Sequence, residues 1–121
     1  MTCKPGELIG IPFPYSDLTT QKRRPVLVVT DPDSRGDFMG LQVTSVPTEE
    51  MAIEIDDKCL ATGQLAKTSW IRCDKIFTLS DSIIVKAYGS LDEGVLQEVM
   101  RKVCNHLGCN DSASEANKVK K

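Results

Sequence analysis

Lys22-Arg23-Arg24-Pro25-Val26-Leu27-Val28-Val29-Thr30 is the stretch that most restricts how this chain folds. A cationic loop runs directly into a β-branched, apolar run. Consecutive apolar side chains require cover on both faces, which places the strand in the middle of a sheet. Pro25 offers no N–H to a ladder and is expected at the strand's first residue. Arg24 then stands where the strand leaves solvent. A guanidinium held there by a stiff strand presents a planar fork suited to a phosphate. A plain solvated basic turn is the alternative for three adjacent basic residues.

The 121 residues suffice for one domain with one core. The formal net charge is −2, so any anion site must be a local patch rather than a property of the whole molecule. The N-terminal residues lack the apolar core of a signal peptide, and no run is long enough to span a bilayer, so a cytoplasmic protein without membrane contact is expected. Five cysteines, Cys3, Cys59, Cys73, Cys104 and Cys109, fit no zinc spacing and leave an odd count. Reduced thiols, no metal and no cofactor are the expectation.

Taken in order, Glu7 to Phe13 reads as a strand, with Pro12 and Pro14 arguing for an edge position or a strand end. Tyr15 to Arg23 reads as a polar loop, and Asp31 to Asp37 as a turn-rich connection. Phe38 to Val46 and Met51 to Ile55 follow as strands, and Asp56 to Gly63 as a loop or short helical turn. The segment Leu65 to Phe77 contains another strand. Its alternation puts Ser69, Ile71 and Cys73 on the buried side and Thr68, Trp70, Arg72 and Asp74 on the other. Ile83 to Tyr88 is expected as the last strand.

Ser90 and Glu93 form a capping-box pattern for a helix over 91–107, stopped by Gly108. Residues 110–121 are polar and expected to be disordered. Residues 1–109 therefore read as one mainly β domain, a small curled barrel carrying a C-terminal helix.

Gly6-Glu7, Pro12-Phe13-Pro14-Tyr15-Ser16-Asp17-Leu18, Arg23-Arg24-Pro25-Val26-Leu27-Val28-Val29, Val43-Thr44-Ser45 and Ile71-Arg72-Cys73-Asp74, in this order, resemble the MazF/PemK/Kid toxin family. The resemblance implies an SH3-like barrel of the CcdB/PemK/MazF kind, assembled as a homodimer. It implies a metal-independent endoribonuclease, an mRNA interferase, that cuts single-stranded RNA and is neutralised by an antitoxin. Arg24 matches the family's active-site arginine, Thr44 its hydroxyl, and Arg72 and Asp74 the catalytic pair of the PemK/Kid branch. That branch also carries a histidine in its first long loop, where this chain has Ser16-Asp17-Leu18-Thr19-Thr20-Gln21-Lys22.

The chemistry is coherent in these residue types. RNA is cut without metal when its 2′-hydroxyl attacks the adjacent phosphorus, giving 2′,3′-cyclic phosphate and 5′-hydroxyl ends. The attack needs a proton acceptor and groups that bear the extra negative charge. Asp74 beside Arg72 has its pKa pulled down, which suits a base or an orienting group. Arg24 and Arg72 suit charge clamps, and Thr44 suits a hydroxyl that positions phosphate.

Trp70 shares a face with Arg72 and Asp74 and is a candidate stacking platform for an unpaired base. Ser45, Lys22, Arg23, Lys67 and Lys75 are candidate RNA contacts. The structural alternatives are a surface ion pair for Arg72 and Asp74, a sheet filler for Thr44, and a core or dimer contact for Trp70. The competing function is a non-catalytic or degenerate module of the same fold, binding a gyrase-like protein target or holding RNA without cutting it.

Overall fold

The computed structural model describes residues 2–13 and 22–109, with the side chains of Phe13 and Lys22 left aside. Residues 15–21 of the loop expected from Tyr15 to Arg23, and the expected disorder of 110–121, lie outside the described residues, while residues 22 and 23 belong to a strand. Among the described residues seven strands form one sheet in the order β4-β6-β3-β2-β1-β7-β5, curled into a half-barrel. They are β1 (Glu7–Phe13), β2 (Lys22–Val28), β3 (Asp37–Thr44), β4 (Ala52–Ile55), β5 (Leu60–Gly63), β6 (Ser69–Ser80) and β7 (Lys86–Leu91), followed by helix α1 (Glu93–Leu107).

β2 is the central strand of the seven. Both its faces are covered. Leu27 and Val29 join the larger core with Leu8, Leu41, Val43, Ile71, Cys73 and the helix residues Val99 and Val103. Val26 and Val28 join a second core with Ile9, Ile11, Phe38 and Ile84. Each such side chain withdrawn from water stabilises the fold by about 1.5–3 kcal/mol. The strand begins three residues earlier than the proline suggests, and Pro25 is its fourth residue, opposite Gly10. The β2–β3 ladder starts only at Val26. Pro25 therefore lacks an N–H where no β3 bond is made.

Other expectations shift as well: β3 ends at Thr44 rather than Val46, and β6 runs on to Ser80. β1 is an interior strand between β2 and β7, and Pro12 sits near its C-terminal end. The last strand runs from Lys86 to Leu91, because residues 81–83 form a 3-10 turn instead of opening it. Ser90 thus belongs to β7, where its hydroxyl bonds that of Thr62 at 2.8 Å. Asp92 caps the helix by accepting from the Gly94 N–H, so the helix starts at Glu93 rather than 91. Gly108 ends it in the left-handed conformation, as its position predicts.

β5 is an element the sequence pattern hides. Leu60-Ala61-Thr62-Gly63 shows no alternation; it pairs with β7, and Leu60 packs against the larger core. At their closest approach Gly63 faces Gly89. A Cβ on Gly63 would lie 2.1 Å from the Tyr88 carbonyl oxygen, and its φ of +85° is left-handed. Glycine is required there twice over.

Candidate nucleic-acid interface

Where β2 begins and β3 ends, the half-barrel opens into a concavity of about 900 Å³. Its floor includes the buried Val43 and Ser69. Its rim carries Arg23 and Arg24 from β2, Thr44 and Ser45 from the end of β3, Asp57, Lys67, and Lys86 and Tyr88 from β7. Arg24 is half-buried and Arg23 exposed, as expected for adjacent strand residues pointing opposite ways. Tyr88 fits because Gly10 has no side chain: a Cβ there would lie 2.8 Å from the Tyr88 Oη. The Lys86 ammonium stands 5.2 Å from the Tyr88 ring centroid, within cation–π range.

Thr44 also belongs to a second surface. It is paired with Trp70 across the β3–β6 ladder, and Trp70 is paired in turn with Glu54 of β4. Facing residues of antiparallel strands project to one side, and alternation carries that side on to Arg72 and Asp74. Ser69, Ile71 and Cys73 are buried as the alternation predicts, and burial pushes the Cys73 thiol up to about 11. Arg72 and Asp74 form a forked pair: Nε donates to Oδ1 and Nη2 to Oδ2, each at 3.3 Å. Hydrogen bonding from Arg72 holds the Asp74 carboxyl below the usual carboxylate range, against a smaller opposing effect of burial. Beyond Ile71 the ladder is irregular: Val43 faces Ile71 while Leu41 faces Ile76. The extra β6 residues bulge, and Arg72 and Asp74 sit at that bulge.

Of the candidates, Arg23, Arg24, Thr44, Ser45 and Lys67 surround the concavity. Trp70, Arg72 and Asp74 do not line it; they extend along the β6 face from the Thr44 partner position. Lys75 is exposed and lines no part of the concavity. The Lys22 side chain is outside the described residues. His106 lies in the last helical turn, and its charge is a minor contributor to the lowered Asp74 pKa. Asp57, Gln64, Lys86 and Tyr88 are lining residues that sequence reasoning did not single out. They come together through the β5–β7 pairing, for which the sequence carries no local signal.

The chain is similar over residues 4–107 to the family described as PemK-like, MazF-like toxin of type II toxin–antitoxin system. No curated protein matches it in sequence. Among solved structures, an endoribonuclease in complex with its cognate antitoxin from Mycobacterial species has a TM-score of 0.68 at 14% identity, over 88% of this chain and 94% of that one. MazE–MazF from Deinococcus radiodurans gives 0.69 at 19% identity, over 89% and 97%. MazF alone from the same organism gives 0.66 at 22% identity, over 89% and 98%. At these identities the likeness shows a shared fold.

Proposed function

Because the chain belongs to the PemK-like, MazF-like toxins of type II toxin–antitoxin systems, we propose that it is an endoribonuclease toxin acting on single-stranded RNA. The observation that carries this reading is the meeting of Arg24 and Thr44, from separate strands, at one cationic concavity. In this reading the scissile phosphate sits at Thr44, the residue common to the concavity and the β6 face. Arg24 approaches it from one side. Arg72, two residues beyond the Thr44 partner and on the same side, approaches from the other, a diagonal that a long side chain can cover.

The RNA 2′-hydroxyl attacks phosphorus and gives its proton to Asp74, which its pairing with Arg72 keeps ionised. Arg24 and Arg72 bear the charge that builds on the phosphorane, and the Thr44 hydroxyl orients a phosphate oxygen. The P–O5′ bond breaks, the departing 5′-oxygen takes a proton from water to become the 5′-hydroxyl, and the other strand end is left as a 2′,3′-cyclic phosphate. The nucleophile is part of the substrate, so the step needs no metal. Trp70 offers a face for stacking an unpaired base, while Arg23, Ser45 and Lys67 contact the strand to either side.

The protein partners in this reading are a second copy of the chain and a cognate antitoxin; an endoribonuclease in complex with its cognate antitoxin shares the fold and supports the latter. In this reading the protein acts in the cytoplasm. The test is incubation with single-stranded RNA and with single-stranded DNA of the same sequence, both in chelator. RNA products with 2′,3′-cyclic phosphate and 5′-hydroxyl ends, with the DNA intact, support the reading. Intact RNA at micromolar protein contradicts it.

A further inference from the structure

We propose that Asp57 reads an unpaired guanine, accepting hydrogen bonds from its Watson–Crick edge; the inference rests on the RNA-cleaving function proposed above. Among the described residues that line the concavity, Arg23, Arg24, Lys67 and Lys86 are cationic and Asp57 is the one carboxylate. A surface that gathers phosphates loses affinity by holding a carboxylate, because like charges repel across it. The group that gains from a carboxylate there is an uncharged donor, and in RNA such donors sit on base edges.

Asp57 is built to present itself. It is the first residue of a 3-10 turn, and its Oδ1 accepts the Leu65 N–H at 2.9 Å. That bond ties the carboxylate to the loop that carries Gln64 and Lys67 into the same concavity. The neighbouring Asp56 serves the turn itself, accepting from the Lys58 N–H. Among the described residues nothing donates to Asp57 Oδ2, and Oδ1 keeps a second lone pair. Two oxygens side by side match the adjacent N1–H and N2–H donors of guanine. Uracil places an oxygen on each side of its single N–H and is repelled. The Tyr88 ring lines the same concavity and supplies an aromatic surface for a base held at Asp57.

The test uses uridine pentanucleotides with a central guanosine, inosine or uridine, 2′-O-methylated throughout so that they bind without being cut. Affinities are measured by fluorescence anisotropy for the wild-type protein, Asp57→Asn and Arg24→Ala, and Asp57→Asn is also assayed for cleavage of ordinary RNA. Asparagine keeps an oxygen for the Leu65 N–H but replaces the free oxygen with a donor. Wild type is expected to bind the guanosine oligomer roughly tenfold more tightly than the uridine one, the scale of one good base-edge pair. Inosine, which lacks the N2 amine, is expected in between. Asp57→Asn is expected to lose the guanosine preference while binding the uridine oligomer at least as well, since a repulsive charge is gone.

Equal wild-type affinity for the three oligomers overturns the inference and leaves the functional reading standing. So does a preference retained in Asp57→Asn, including the case where that variant binds selectively but cuts slowly, which would assign Asp57 to the chemistry. If wild type binds none of the oligomers and cuts no RNA, the functional reading falls and the inference falls with it. Weakened binding of all three by Arg24→Ala supports the concavity as the place of contact.

Discussion

Thr44 and Trp70 stand opposite each other on neighbouring strands, and this pair joins the cationic concavity to the outer face of β6. Under the proposed function, a base stacked on Trp70 would set its phosphate beside Thr44. Trp70→Ala is therefore expected to weaken binding of a non-cleavable RNA by about 1–3 kcal/mol, and Trp70→Phe by much less. Trp70 is the only tryptophan of the chain, so its own fluorescence reports the contact. RNA added to the wild-type protein should quench it. An unchanged emission spectrum at saturating RNA would remove Trp70 from the interface.

The Arg72–Asp74 fork gives a pH prediction whose sign follows from the direction of the shift. Asp74 is held below the ordinary carboxylate range in the folded protein. Its contribution to stability is then fully present above the unfolded carboxylate value of about 3.9 and is lost as pH falls through the lower folded value. The acid limb of cleavage should likewise lie below the ordinary carboxylate range. Asp74→Asn should lower single-turnover cleavage at neutral pH by roughly 10²-fold or more. A titration of rate and thermal stability from neutral to acid pH, on both proteins, checks this; cleavage unchanged in Asp74→Asn would exclude Asp74 as proton acceptor.

Gly63→Ala tests the β5–β7 crossing that brings Tyr88 and Lys86 to the concavity. The new methyl group would meet backbone atoms of Tyr88 and Gly89, which cannot swing aside as a side chain can. The expected loss is about 2–4 kcal/mol, combining overpacking with a left-handed backbone. Urea unfolding measures it. Gly108→Ala, with nothing within 4 Å of its Cβ, should cost less, since only backbone conformation opposes it.

How far these features are readable in the sequence depends on whether the signal is local. Val26 to Val29 announce a buried strand because burial on both faces leaves a continuous apolar run. Ser69, Ile71 and Cys73 declare the inner side of β6 because alternation is a property of one strand. Ser90 misleads because a capping pattern cannot reveal that Thr62, 28 residues away, will engage its hydroxyl. Leu60 to Gly63 and the concavity residues Asp57, Lys86 and Tyr88 are silent for the same reason: pairing between distant segments defines them. Arg24 is legible from the strand it opens, Thr44 through the family resemblance, and the β2–β3 arrangement places the two together. Arg72 and Asp74 lie farther along the β6 face than a single compact cluster would put them.

The central claim is that this concavity holds a scissile RNA phosphate through Arg24. The most direct measurement is the single-turnover cleavage rate of one RNA strand in chelator by wild type, Arg24→Lys and Arg24→Ala, each shown to unfold at the same temperature. The account predicts a loss of 10²-fold or more for Arg24→Ala, the scale of removing one donor to a developing negative charge, with lysine restoring part because it keeps the charge without the fork. Equal rates for all three proteins would contradict it.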